Sequence, residues 1–250
     1  MQVIEYGQSH SQVLLFLHGG GLSWWNYREA ASLLGETYHV VLPVLDGHGG
    51  NPRPFTTIES NAEALIDYID EHFGGSVLLI GGVSLGAQVA LEMLSQRQGL
   101  CRTAVVESAL SIPMRLTNAL MKPMLDMSYG LIRRPWFSRL QFRALKIKEE
   151  LYTDYLRDTC LISKESMLAF LLANGSYTPK DTLSQTDARV HLFVGSREMP
   201  VMRRSAEQLH ALIPSSSLEM LKGLDHGQFS INCPQRYART VAGLIEADRL

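Results

Sequence analysis

Three observations predict an α/β chain built on a doubly wound, mostly parallel sheet with an inserted helical segment. Short apolar runs alternate with amphipathic helical patterns at the spacing of βαβ units. That alternation stops after about Ser111, and residues 112–185 hold helical patterns without a convincing strand. It resumes with the apolar run Val190-His191-Leu192-Phe193-Val194. The expected division is a core of residues 1–111 and 186–250 with the helical insertion 112–185 between its two parts. A chain of 250 residues is long enough to bury a sizeable core in one such unit.

Residues 1–7 lack the basic and apolar regions of a secretory signal and read as a first strand. Residues 13–17 are an apolar strand that runs into His18-Gly19-Gly20-Gly21, with Trp24 and Trp25 close behind. Three consecutive glycines let a backbone approach a ligand and present its N–H groups. Residues 38–44 form the next strand, and Asp46-Gly47-His48-Gly49-Gly50 is a loop. Thr56 or Thr57 caps a helix over residues 58–73, which buries Ala62, Leu65, Ile66 and Ile69 and stops at Gly74-Gly75.

The run from Val77 begins as a buried strand and ends as a helix, because Ala87, Ala90, Leu91 and Leu94 recur on one helical face. Between the two lies Gly82-Val83-Ser84-Leu85-Gly86, which is G-x-S-x-G. A turn this tight forces its serine into a strained conformation with the hydroxyl held above the sheet. The N–H of Leu85 opens the following helix, where the dipole favours negative charge.

Residues 103–106 form a short strand, and the insertion then offers helices over about 122–132, 137–156 and 164–173. It carries five of the ten methionines, and its 11 basic against 7 acidic residues leave it at +4. Six basic residues and no acid lie between Arg133 and Lys148. Methionines with Trp136 and Phe137 suggest an adaptable apolar lining over a site. After the strand at 190–194 come a helix over about 202–213, a last strand at 217–221 and a final helix from Pro234.

Composition narrows the classes. Hydrophobic residues at 46% and charged residues at 19% suit a globular protein. A net charge of -2 points to neither nucleic acid nor an anionic membrane as partner, and no apolar run has the length of a span. Cys101, Cys160 and Cys233 are odd in number and far apart, so a reducing, cytoplasmic setting is expected, with no disulfide framework and no zinc site. No nucleotide-binding or metal motif is present, so no cofactor and no metal are expected. The oligomeric state is left open.

A serine hydroxyl needs a base, and the base needs a carboxylate to fix its tautomer. Of eight histidines, His226 stands in the loop after the last strand, at a carboxyl edge where open parallel sheets bind ligands. His10, His39, His72, His191 and His210 read as structural. Glu198 follows the preceding strand and gives the order Ser84, Glu198, His226. Glu107, at the end of another strand, and Asp225, beside His226, are its rivals.

With His18-Gly19-Gly20-Gly21, Gly47-His48-Gly49, Gly82-Val83-Ser84-Leu85-Gly86, Gly195-Ser196-Arg197-Glu198 and Asp225-His226-Gly227 in order outside the insertion, the sequence resembles the α/β-hydrolase fold family, and the insertion sits where that family places its helical cap. The resemblance implies an oxyanion hole from the N–H groups of Gly20 and Leu85, with Gly21 as a further donor. It departs in the loop after the third strand, where Val44 stands for the usual Asp of D-x-x-G-x-G and Asp46 for a common arginine. It departs also in the acid, usually Asp. The implied activity is a serine hydrolase cleaving a carboxylic ester or thioester through an acyl-enzyme. Carbon–carbon bond cleavage or elimination on a small carboxylate, and a ligand binder without turnover, are the alternatives. A small acyl substrate is the expected partner, with Gly21, Trp24 and Trp136 as its contacts.

Overall fold

The computed structural model describes residues 1–248. Seven strands form one sheet: β1 (Val3–Tyr6), β2 (Val13–Leu17), β3 (His39–Pro43), β4 (Val77–Val83), β5 (Cys101–Glu107), β6 (Arg189–Gly195) and β7 (Ser216–Leu221). Their order across the sheet is β1-β3-β2-β4-β5-β6-β7. β1 pairs antiparallel to β3, and all other neighbours are parallel. From β2 the chain steps outward to β3 and then returns to lay β4 on the other side. That reversal opens a crevice beyond the carboxyl ends of β2 and β4. The glycine run after β2 and the G-x-S-x-G turn after β4 both lead into it.

Apolar alternation explains the two layers of helices. All five residues of β2 are buried, but they serve two cores. Val13, Leu15 and Leu17 pack on one face, with Ala62 and Leu65 of α2 (Ile58–Phe73), Ala90 and Leu94 of α3 (Leu85–Gln96) and Leu209 of α8 (Pro200–Leu212). Leu14 and Phe16 pack on the other, with Leu34 of α1 (Arg28–Leu34) and Tyr237, Val241 and Ile245 of α10 (Pro234–Ala247). A strand buried on both sides has no polar face to show, which is why these runs read as continuous apolar segments.

Between β5 and β6 lie α4 (Arg115–Ser128), α5 (Pro135–Leu145), α6 (Tyr152–Thr159) and α7 (Lys164–Ser176). Helix α4 starts earlier than its pattern suggested and runs through Pro123. Contacts with α7 hold it: Asn118 Nδ2 donates to the Leu172 carbonyl at 3.1 Å, and Met114 N–H to that of Gly175 at 2.8 Å. The helix expected over 137–156 breaks in two. Lys146 adopts φ 54°, and its carbonyl accepts from Gln228 Nε2 at 2.7 Å and Asn232 Nδ2 at 2.9 Å. Partners 82 and 86 residues away end the helix, so the local pattern could not. The 3-10 turn Trp24–Tyr27 and helix α1 were not anticipated; burial of Trp25, Tyr27, Ala30 and Ala31 drives them.

The insertion is tied down at α6. Trp25 Nε1 donates to Asp158 Oδ2 at 2.8 Å, and Arg28 pairs with Asp154 at 2.8 Å. Among the described residues no helix is long and apolar enough to cross a membrane.

A Cβ added at Gly86 would collide with the Leu17 carbonyl oxygen, so α3 lies against β2 with no room for a methyl group. Gly86→Ala is expected to cost about 1–3 kcal/mol or more, read as a lower midpoint of urea unfolding. An unchanged midpoint would contradict this packing.

Candidate active site

Residue 84 terminates β4 and caps α3 at φ 54° and ψ −116°, a conformation that costs a non-glycine residue energy. Both neighbours of the turn explain how it survives. A Cβ at Gly82 would collide with the Gly86 carbonyl oxygen, so the chain doubles back only because both positions lack side chains. Ser84 N–H donates to the Glu107 carbonyl at 2.9 Å, and Gln88 N–H to the Ser84 carbonyl at 3.1 Å. The Ser84 side chain is left at the carboxyl edge, half-buried.

His226 reaches it from the loop after β7. Its Nε2 lies 2.9 Å from Ser84 Oγ, and its Nδ1 lies 2.8 Å from Glu198 Oε2. A carboxylate can only accept, so Nδ1 carries the proton and Nε2 accepts the serine O–H. Glu198 stands in the loop after β6, and its side chain is fully buried. Its other oxygen, Oε1, accepts from Gly195 N–H at 2.6 Å and Ser108 Oγ at 2.8 Å. Burial alone would raise this carboxyl. The hydrogen bond and charge of His226, with the Gly195 and Ser108 donors, outweigh it and hold Glu198 below the usual glutamate range. The extra methylene of Glu over Asp is accommodated because Oε1 is pinned and Oε2 faces the imidazole.

The rivals are occupied elsewhere. Asp225 Oδ1 takes Lys146 Nζ at 2.6 Å. Glu107 is buried and accepts from the N–H groups of Phe229 at 2.9 Å and Ser230 at 3.1 Å, which open helix α9 (Gln228–Asn232) just past His226. It fixes the loop that carries the histidine. Ser108 was missed in the sequence. At φ 55° it is strained as Ser84 is, and its hydroxyl both donates to Glu198 and accepts from Gly227 N–H at 3.3 Å. It therefore bridges the glutamate to the histidine loop. Its only sequence signal is its place after the apolar run of β5.

The glycine loop closes the other side. His18, whose pKa burial lowers to about 3, stays neutral, donates Nδ1–H to the Gly19 carbonyl at 2.9 Å and accepts Leu45 N–H on Nε2 at 3.1 Å. Asn26 Oδ1 accepts Gly19 N–H at 3.3 Å. A Cβ on Gly20 would lie 3.5 Å from Leu85 Cβ, so the two backbones are neighbours. Among the described residues, neither the Gly20 nor the Leu85 N–H has a protein acceptor.

A cavity of about 220 Å³ lies over Ser84 and His226. Gly20, Leu22 and Ile231 line it from the core, and Ala144, Leu145 and Ile147 from the end of α5. Three residues expected to contact the substrate are not among those that line it. Trp136 is 63% exposed and stacks edge-on against Phe137, because it lies on the outer face of α5. Trp24 lies under the Arg28 guanidinium, 4.9 Å from its ring centroid, while Trp25 is the buried member of the pair. Gly21 is not part of the lining; its carbonyl accepts Thr159 Oγ1 at 3.4 Å. A larger cleft of about 730 Å³ lies at the opposite edge of the sheet. Its Cys101 thiol is pushed up to about 12 by burial, which leaves it inert.

Burial raises the Glu107 carboxyl to about 7. In the unfolded chain it ionises near 4.5. Between those values the folded state holds the extra proton, so this residue makes stability fall as pH rises through that window. Glu107→Gln removes the contribution. Urea unfolding of both proteins across the window is expected to show the variant gaining stability relative to the wild type as pH rises, whatever slope the other groups, such as His18, give to both curves. Parallel curves would contradict the assignment.

A search of the curated proteins found no match. Among solved structures, a thermophilic esterase from Thermogutta terrifontis superposes with a TM-score of 0.78 at 15% identity, covering 100% of this chain and 94% of that one. An esterase from Exiguobacterium antarcticum gives 0.80 at 16% identity, covering 98% and 94%. A putative alpha/beta hydrolase family protein from Desulfitobacterium hafniense gives 0.77 at 22% identity, covering 98% and 100%. At these identities the likeness is one of fold. The model of the alpha/beta hydrolase family matches residues 14–240, nearly the whole chain, and the protein belongs to that family.

Proposed function

We propose that this chain is a serine hydrolase that cleaves a carboxylic ester or thioester through an acyl-enzyme. The observation that carries the reading is the pair of hydrogen bonds on His226, at 2.9 Å to Ser84 Oγ and 2.8 Å to Glu198 Oε2. Ser84 Oγ attacks the acyl carbon while its proton passes to His226 Nε2. The imidazolium so formed is stabilised by the Glu198 carboxylate on Nδ1. The carbonyl oxygen becomes an oxyanion and is received by the Gly20 and Leu85 N–H groups, the second at the positive end of α3. Collapse expels the alcohol or thiol, which takes the proton from Nε2. Water then attacks the acyl-serine with His226 as base, and the acid leaves.

The substrate is bounded by the cavity. At about 220 Å³ it lies below the range of about 300–1,000 Å³ common for drug-sized ligands, and its walls are largely apolar. A short acyl chain fits, with Leu145 and Ile147 as its lining. The esterase neighbours from Thermogutta terrifontis and Exiguobacterium antarcticum support the same reaction class.

Ser84→Ala is expected to abolish fluorophosphonate labelling and hydrolysis of short p-nitrophenyl esters and acyl thioesters. Glu198→Gln is expected to lower kcat by roughly 10⁴-fold with little change in KM, while Glu107→Gln keeps kcat within about tenfold because it acts through the loop. Labelling that survives in Ser84→Ala, or a kcat that collapses in Glu107→Gln and not in Glu198→Gln, would overturn the mechanism. Labelling of the wild type without turnover on any ester or thioester would point to another scissile bond.

A further inference from the structure

Helix α4 is amphipathic in the inverted sense. Its packed side is defined by Asn118, which bonds to α7, and by Leu125, which is buried. At 100° per residue, Leu116, Leu120, Met124 and Met127 fall on the side facing away. They are 78%, 51%, 60% and 84% exposed, an apolar stripe more than two turns long in water. Helix α5 repeats the pattern. Ser138 and Phe142 are buried, while Trp136 and Leu140, one turn apart, are 63% and 61% exposed.

Charge marks what this surface fits. Arg133 and Arg134 precede Trp136, and Arg143 continues the outer face of α5 by another turn. All three are exposed, and among the described residues none is in an ion pair, whereas Arg139 and Lys146 have their carboxylate partners. The overall charge of -2 conceals this local excess. Exposed aliphatic side chains on α4, and a tryptophan and unpaired arginines on and just before α5, match an interface of headgroups over acyl chains. A second copy of this chain, docked face to face, would set these arginines against each other.

We propose that the outer face of α4 and α5 docks on an anionic lipid surface, in the interface and not across it. Ala144 and Leu145 at the end of α5, and Ile147 just past it, line the cavity, so docking would set a helix of the cavity wall against the lipid. The docking does not depend on the hydrolase reading.

The test uses the Ser84→Ala chain, so that no lipid is consumed, and co-sedimentation with vesicles. Vesicles of about one part phosphatidylglycerol to three of phosphatidylcholine are expected to bind it at least about tenfold more tightly than pure phosphatidylcholine. Arg133→Gln with Arg134→Gln should weaken that binding about fivefold per arginine, and Met124→Ser with Met127→Ser should weaken it on both vesicle types. All four positions are exposed, so urea midpoints should stay at the parent value. In the wild-type background the arginine pair should leave turnover of a water-soluble ester unchanged. Equal binding to both vesicles, binding unaffected by either pair, or no binding at all would overturn the proposal. A concentration-dependent dimer lost in Met124→Ser/Met127→Ser would assign the face to a second copy and also overturn it.

Discussion

The site depends on one close approach: the backbone of Gly86 against the backbone of Leu17, with Ser84 held at φ 54° just before it. This contact joins the ends of β2 and β4, the two strands between which the chain order reverses. It therefore sets both halves of the site at once. The G-x-S-x-G turn lifts the serine hydroxyl, and the neighbouring glycine loop brings the Gly20 backbone beside Leu85. The strain at Ser84 is sustained by packing on both sides of the sheet, where β2 sends alternate residues into two cores.

Around that contact, the structure uses buried polar groups mainly for position. Glu198 is dry and fully bonded: one oxygen to Gly195 and Ser108, the other to His226. Glu107 is equally buried but turned toward Phe229 and Ser230, so one carboxylate holds His226 itself and the other, at the neighbouring strand end, holds the helix that opens just past it. Fixing a group by several weak bonds before reaction avoids reorganisation during it. His226, with 47% of its side chain exposed, is open to the cavity together with Ser84, while Glu198 is not.

Much of this was legible in the residues. Strands buried on both faces announce themselves as apolar runs, and the helix over 58–73 was marked by its Thr57 cap and its Gly74 stop. Glycines bracket Ser84 because sterics demand them, so the turn could be read directly. What escaped the reading depends on distant partners. Ser108 bridges two loops 90 and 119 residues further on, and nothing beside it in the chain signals that. The break at Lys146 is imposed by Gln228 and Asn232. Trp24 and Trp25 are adjacent in sequence, and distant partners decide which is buried: Asp158 on the indole N–H, and Phe142, Tyr155 and Ile231 around the ring. Trp136 looked like a pocket wall by composition, but the face of a helix that points outward is set by what packs beneath it. The same uncertainty hid Leu145 and Ile147, which line the cavity.

In the proposed reaction Ser84 and His226 act on one acyl carbon whose oxygen the Gly20 and Leu85 N–H groups receive. A crystal structure of the fluorophosphonate adduct tests it most directly. A covalent bond from Ser84 Oγ to phosphorus is expected, with one phosphoryl oxygen about 2.7–3.1 Å from both N–H groups. A phosphoryl oxygen turned away from Gly20 and Leu85, or an adduct on any other residue, would contradict it.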